Sequence, residues 1–287
     1  MKTPKRLEPL LEDGLIDEVV SQLKSGKEAT VYLVRCSGIL RCAKVYKDAH
    51  HRSFKQASTY REGRKVRNTR DARAMEKGSR FGKQELEDTW QNAEVSALYR
   101  LAEAGVRVPT PHGCFDGVLL MDMVSDGQGY PAPRLSEVAF TPEEAVACHD
   151  QLVREVVRML CAGLVHGDLS EYNILIDPQG PVIIDLPQAV DAAGNNNAFA
   201  MLERDVQNLA DFFGQFEPAL LDTRYAKEIW ALYEGGELNP ESPLTGEFEE
   251  DETPADLDDL LREIMDAQDE ENRRKAAAAQ DDDDDEY

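Results

Sequence analysis

Three oxygen-bearing side chains lie in two short segments of the sequence, LVHGDLSEYN at 164–173 and VIIDLPQ at 182–188. They are Asp168, Asn173 and Asp185. Any one of them alone is explained by an ordinary turn, in which Asp and Asn are common. Together they match phosphoryl transfer from ATP, which needs a carboxylate facing the acceptor hydroxyl and oxygen ligands for a metal. In this interpretation Asp168 accepts the hydroxyl proton, and Asn173 and Asp185 bind Mg²⁺.

The elements around these residues are predicted to bring them together. The sequence ILIDPQGPVIID at 174–185 is typical of a hairpin, which would return Asp185 to the vicinity of Asn173. A helix is predicted to begin at Thr141, where a Thr cap precedes Pro and Glu, and to end near Cys161. Apolar residues recur at helical spacing over 198–213, which predicts a buried helix.

A lysine and a glutamate in the first part of the chain fit the same chemistry. Alternation of apolar and polar residues predicts three antiparallel strands, at about 16–23, 29–36 and 39–47. A helix is predicted over 85–104, with an apolar stripe of Trp90, Ala97 and Leu101. Glu94 falls on this stripe, and a buried carboxylate needs a partner. We expect Lys44 to be that partner and to contact phosphate, unless the helix is rotated so that Glu94 reaches solvent.

The segment KSGKEATVY at 24–32 joins the first two predicted strands. Backbone amides around Gly26 are expected to cover the ATP phosphates, and Lys27 adds positive charge. The segment has neither the Walker pattern nor the three glycines of a GxGxxG loop. By itself it is therefore also consistent with an ordinary hairpin turn.

Five segments together resemble the RIO family of atypical protein kinases, in particular its Rio-one-like branch. They are SGKEATVY, AKVYK, WQNAEVSAL, HGDLSEYNILI and IIDLPQ, and the resemblance covers about residues 14–233. It implies an α+β, trimmed bilobal protein-kinase-like fold, with an antiparallel N-terminal lobe carrying one helix and a mainly helical C-terminal lobe. It also implies an enzyme that uses ATP with Mg²⁺ or Mn²⁺ and phosphorylates Ser.

The resemblance also implies roles for individual residues. Lys44 would contact the phosphates and Asp168 would be the catalytic base. Met121 would lie behind the adenine, with the backbone groups of Asp122 and Val124 binding the adenine edge. Asp185 would bind metal and, as proposed for the family, accept phosphate itself, which makes an ATPase switch an alternative output.

Two other functions remain open at this point. Gly167 gives the motif HGD, which is also similar to small-molecule phosphotransferases, although few residues remain after Asp185 to build an acceptor pocket. The other is an assembly factor for ribosomes or other RNA–protein particles. It draws on residues 41–83, which carry 14 basic and 4 acidic residues and could contact RNA.

The net charge of −24 is concentrated at one end of the chain. Residues 234–287 contain 22 acidic and 4 basic residues, which predicts a largely disordered tail, in which residues 256–275 could form one helix. We therefore expect an N-terminal lobe at 1–124 with a flexible basic insert at 48–83, a C-terminal lobe at 125–233, and the tail.

The sequence argues against a membrane protein and against a secreted one. No apolar run approaches the roughly 20 residues of a membrane span, and the first residues do not resemble a signal peptide. Five scattered cysteines argue for reduced thiols. We expect a cytoplasmic protein that binds ATP, with no membrane partner and with a protein substrate that the sequence does not identify.

Overall fold

A computed structural model describes residues 3–47 and 93–249 of the chain. Residues 1–247 form one unit and residues 248–287 a second one. The predicted insert at 48–83 and the predicted helix near 256–275 lie outside the described residues. In the described part, no helix is both long and apolar enough to cross a membrane.

An antiparallel sheet of five strands forms the first half of the larger unit. Its strands are β1 (Glu18–Ser25), β2 (Ala29–Cys36), β3 (Ile39–Tyr46), β4 (Pro111–Phe115) and β5 (Val118–Asp122), in the spatial order β1-β2-β3-β5-β4. A short helix, α1 (Glu8–Glu12), precedes them. The three predicted strands are therefore confirmed, with ends shifted by one or two residues.

The sheet has different partners on its two faces because side chains alternate along each strand. Ala43 and Val45 of β3 pack in an apolar cluster that includes Leu10 of α1. Tyr46 belongs to the other, larger core cluster. Lys44 lies between the two apolar residues of β3, opposite residues of β2 and β5, so it occupies the middle of the sheet.

Two tight turns fix the register of this sheet. Ser37 and Gly38 between β2 and β3 have φ of 48° and 81°. Asp116 and Gly117 between β4 and β5 have φ of 45° and 76°. Positive φ at both positions is the signature of a type I′ turn, whose twist matches that of the strands it joins. Asp116 and Gly117 therefore close the hairpin that β4 and β5 form.

The helix that carries Glu94 covers residues 93–103 in the described part of the chain, and we call it α2. Ala97 and Leu101 on it are buried, as the apolar stripe predicts. Trp90, the third predicted member of the stripe, lies outside the described residues. Gly105 follows the helix with φ of 74°, a conformation that ends helices.

Helices α3 (Pro142–Cys161), α4 (Ala198–Phe213) and α5 (Tyr225–Glu234) dominate the second half of the unit. The predicted cap of α3 is present, because Thr141 Oγ1 accepts from Glu144 N at 3.2 Å and Glu144 accepts from Thr141 N at 2.9 Å. Between α3 and α4 lie two small strand pairs. They are β6 (Leu164–Val165) with β9 (Val190–Asp191), and β7 (Ile174–Asp177) with β8 (Gly180–Ile183).

The packed part of the chain extends beyond the predicted start of the tail at 234. Ser242 is only 3% exposed, and its carbonyl accepts a hydrogen bond from Arg154 of α3. The Glu228 carboxylate accepts from the backbone amides of Thr245 and Gly246, each at 2.8 Å. The acidic composition of residues 234–247 predicts a disordered tail, but hydrogen bonds and apolar contacts hold these residues against the core. The predicted boundary between the lobes at 124 and 125 stays a prediction.

Candidate active site

A cavity of about 530 Å³ opens between the sheet and the loops around β7 and β8. The sequence-predicted site residues that line it are Gly26, Lys27, Lys44, Glu94, Met121, Asp122, Val124, Asp168 and Asp185. Asn173, the remaining one, is not part of the lining. The structure thus brings nine of the ten predicted residues to one cavity.

Lys44 makes two ion pairs at the back of this cavity. Its Nζ lies 2.5 Å from Glu94 Oε1 and 2.8 Å from Asp185 Oδ1. Tyr46 OH donates to the second oxygen, Oε2, of Glu94 at 2.7 Å. Lys44 and Glu94 are 8% and 5% exposed. The expected Lys44–Glu94 pair is present. Side chains from β3, from α2 and from the loop after β8 thus meet at one ammonium group.

The charges of this group follow from the contacts. Burial alone would lower the pKa of Lys44, but the Glu94 and Asp185 carboxylates outweigh burial and raise that pKa above its ordinary value. Burial pushes the pKa of Asp185 upward, and Lys44 overcomes this effect and lowers it. Both groups are therefore charged at neutral pH. The side chain of Asp185 is still 49% exposed, so part of the carboxylate remains accessible from the cavity.

Asn173 and Asp185 are held close by the hairpin, as the sequence predicts. Ile184 N donates to the Asn173 carbonyl at 2.9 Å, directly before Asp185. Asn173 Nδ2 donates to the Asp168 carbonyl at 2.8 Å. In the amide group only the oxygen offers lone pairs, so Oδ1 is the atom through which Asn173 could bind a cation. Asp185 also has φ of 67°, a backbone conformation that is uncommon outside glycine.

The donor set fits a hard divalent cation only if other ligands complete it. In the described part of the chain, no three His, Cys, Asp or Glu side chains cluster as a metal site. Asn173 and Asp185 would supply two oxygen ligands. Mg²⁺ is commonly bound in this way, through one or two carboxylates together with substrate phosphates.

Asp168 is exposed at the cavity wall, whereas the histidine two residues before it is buried. His166 Nδ1 accepts from Asp168 N at 3.2 Å, and its Nε2 donates to the Ile184 carbonyl at 3.1 Å. His166 thereby ties the two loops together. Desolvation raises the pKa of the Asp168 carboxyl, and the positive charge of the Arg204 guanidinium opposes this rise.

Two of the predicted nucleotide-contacting segments already use some of their backbone groups. Gly26 N donates to Ala29 O at 2.8 Å, so its own amide closes the turn instead of pointing to a ligand. Asp122 N donates to Thr110 O and the Val124 carbonyl accepts from Ala132 N, both at 2.9 Å.

Asp205 on α4 is a site residue that the sequence analysis missed. Its Oδ2 accepts from Gly167 N at 2.7 Å and its Oδ1 from Leu169 N at 2.9 Å, on either side of Asp168. The side chain is 1% exposed. The sequence could have identified it, because Asp205 lies on the buried stripe between Leu202 and Leu209 and a buried carboxylate needs a partner. Glu94 occupies the same kind of position on α2. His166 gave no comparable signal.

The ionisation of Asp205 provides a pH test of this arrangement. Burial raises the pKa of Asp205 to about 6. The folded protein therefore binds this proton more tightly than the unfolded chain, whose pKa is ordinary. Stability from this group is present at low pH and is lost as pH rises through about 6.

We therefore expect the free energy of unfolding to fall more steeply with pH in the wild type than in Asp205→Asn. Between pH 5 and pH 7 the wild type should lose about 1 kcal/mol relative to the variant. Urea unfolding at several pH values measures both. Parallel pH dependences of the two proteins would contradict the raised pKa.

Comparisons with known proteins bear on the identity of this site. A family model described as RIO domain matches residues 30–226, a range that contains Lys44, Glu94, Asp168, Asn173 and Asp185. A RIO-type serine/threonine-protein kinase Rio1 from Haloferax volcanii is 38% identical over 207 residues, which are 71% of this chain and 66% of the relative.

Two further relatives have similar names. A RIO-type serine/threonine-protein kinase Rio1 from Methanocaldococcus jannaschii is 32% identical over 242 residues, 83% of this chain and 76% of the relative. The human serine/threonine-protein kinase RIO1 is 31% identical over 217 residues, 75% of this chain and 36% of the relative. The matched region thus spans just under two thirds of the Haloferax relative and about a third of the human one. The family model and these identities confirm the resemblance seen in the sequence, and the chain belongs to the RIO domain family.

Proposed function

We propose that this chain is a RIO-type serine/threonine protein kinase that transfers the γ-phosphate of ATP to Ser in a metal-dependent reaction. The observation that carries the proposal is the convergence of a paired Lys44, Asp168 and Asp185 on one cavity. These are the groups that phosphoryl transfer needs for gripping phosphate, orienting the acceptor and holding a metal. The relatives described above are serine/threonine-protein kinases by name, which supports the same activity.

In this proposal the nucleotide lies along the cavity with its adenine against Met121. The Asp122 carbonyl and the Val124 amide would bind the adenine edge, since the Asp122 amide and the Val124 carbonyl bind other backbone groups. The Gly26–Lys27 turn would cover the phosphates through Lys27 and its neighbouring amides. Lys44, held in place by Glu94, would donate to phosphate oxygens.

Asn173 Oδ1 and the Asp185 carboxylate would hold the metal, which we propose to be Mg²⁺, with Mn²⁺ as an alternative. When bound, the ion would neutralise phosphate charge. Lys44 now occupies one oxygen of Asp185, at 2.8 Å. The accessible part of the Asp185 carboxylate faces the cavity, where the phosphates of the nucleotide would complete the coordination of the metal.

Asp168 would act as the general base toward the acceptor hydroxyl. Its carboxyl has a raised pKa and lies at the exposed wall of the cavity, where an acceptor can approach. A base is more effective when its pKa is closer to the working pH. The carboxylate would accept the hydroxyl proton while the oxygen bonds to the γ-phosphorus, and ADP would leave.

An ATPase switch that serves the assembly of RNA–protein particles is the second candidate. The half-exposed Asp185 carboxylate favours it, because a water or the carboxylate itself could then receive the phosphoryl group. The basic composition of residues 41–83 supports contact with ribosomal RNA or a ribosomal subunit. We propose a cytoplasmic location for either function.

Transfer from γ-labelled ATP distinguishes these candidates. Wild type with Mg²⁺ should give acid-stable phosphoserine, and Asp168→Asn should reduce the rate by at least about a hundredfold, because the general base is lost. ATP affinity should change little, since Asp168 does not bind the nucleotide. Asp222→Asn, at an exposed position remote in sequence from the site, is the matched control and should retain the wild-type rate.

Label recovered as free phosphate or as an acid-labile adduct would favour the ATPase switch. Equal rates in wild type and Asp168→Asn would contradict the role of Asp168. No ATP-dependent label from the wild type with protein acceptors would contradict the kinase proposal.

The role of the Lys44–Glu94 pair predicts a graded effect of two neighbouring substitutions. Glu94→Gln removes the charge that holds Lys44 and should raise the KM for ATP about tenfold, equivalent to about 1.4 kcal/mol. Tyr46→Phe removes only one hydrogen bond to Glu94 and leaves the ion pair, so we expect a change below about threefold. Steady-state kinetics with varied ATP measures both, and equal effects of the two substitutions would argue against the pair.

A further inference from the structure

The loop that carries Asp168 is held almost entirely by side chains. The backbone of residues 167–169 has six polar groups, and each of them is bound by a side chain. Gly167 N and Leu169 N donate to Asp205, Asp168 N donates to His166, and the carbonyls of Gly167, Asp168 and Leu169 accept from Arg204, Asn173 and Asn208.

Three of these side chains come from one face of α4. Arg204, Asp205 and Asn208 are spaced so that they lie on adjacent positions of the same helical surface. Asn208 Nδ2 donates to the Leu169 carbonyl at 2.8 Å. Arg204 Nη2 donates to the Gly167 carbonyl. Together with Asp205, they bind both polar groups of the residues on each side of Asp168.

We propose that Asn208 and Arg204 are positioning residues that fix the backbone on both sides of Asp168 and thereby aim its carboxylate. Neither residue lines the cavity. Asn208 acts on the reaction only through the loop, whereas the charge of Arg204 also lowers the pKa of the Asp168 carboxyl. The reaction they serve is the proposed kinase activity, so the kinetic part of this inference rests on the proposed function.

The consequence for kinetics follows from geometry. Asp168 is exposed at the cavity wall, so the position of its carboxylate depends strongly on the backbone that carries it. Small displacements of a catalytic group lower rates strongly, because the reacting atoms must be aligned at near-contact distances. The nucleotide contacts proposed above lie on other segments. Loss of a carbonyl contact should therefore lower kcat and leave the KM for ATP nearly unchanged.

The test compares Asn208→Ala with Gln207→Ala, the neighbouring position on the same helix. Gln207 is exposed and bonds to Asp211 of its own helix, so it is a matched control. We expect Asn208→Ala to lower kcat about tenfold with a KM for ATP within twofold of wild type. Asn208→Gln keeps an amide donor and should recover part of the lost kcat. Unchanged kcat, or equal changes in both alanine variants, would overturn the inference.

Hydrogen exchange gives a readout that does not require turnover. Amides of residues 164–173 should exchange about tenfold faster in Asn208→Ala than in Gln207→Ala, because the loop is less firmly held. Asn208→Ser, too short to reach the carbonyl, gives the same test if the alanine variant unfolds at the assay temperature. Equal exchange would overturn the inference. Absence of turnover in the wild type would refute the proposed function, and the exchange comparison would still decide this inference.

Discussion

The buried ammonium of Lys44 is the constraint on which the site depends. It joins Glu94, 50 residues away in sequence, and Asp185, 141 residues away. A buried charge that loses its partner costs several kcal/mol, so the fold must bring a strand, a helix and a loop together at one point. The rotation of α2 and the path of the hairpin that ends at Asp185 are both set by this requirement. The two halves of the cavity are thereby joined through a charged contact that a nucleotide can use.

The loop around Asp168 meets a different requirement. It must expose a carboxylate to the cavity and keep that carboxylate in a fixed position. The backbone hydrogen bonds of a helix or a sheet do not hold the chain here. The structure solves this by burying Asp205 and His166 beneath the loop and letting their side chains bind its backbone. Desolvation of Asp205 is the cost, and it appears as a raised pKa. The backbone of the loop is thus held in place while the side chain of Asp168 stays accessible.

The elements and most site residues could be predicted because they leave local patterns in the sequence. Residue spacing predicts the cap at Thr141 and the hairpin that returns Asp185. It also shows that Glu94 is a carboxylate on the buried apolar stripe of its helix. Asp205 is likewise a carboxylate among the buried apolar residues of α4. Its partners are the backbone amides of Gly167 and Leu169, and the sequence does not indicate which amides bind a given side chain. The use of the Gly26 amide within its own turn, and the packing beyond residue 234, depend on three-dimensional contacts that composition does not encode.

The most direct test of the account is the crystal structure of the protein with Mn²⁺ and a non-hydrolysable ATP analogue, because the anomalous signal of manganese locates the ion independently of the nucleotide. We expect adenine against Met121, phosphates within reach of Lys44, and manganese bound to Asn173 Oδ1 and an Asp185 oxygen. An analogue bound outside the cavity, or manganese held by other residues, would contradict it.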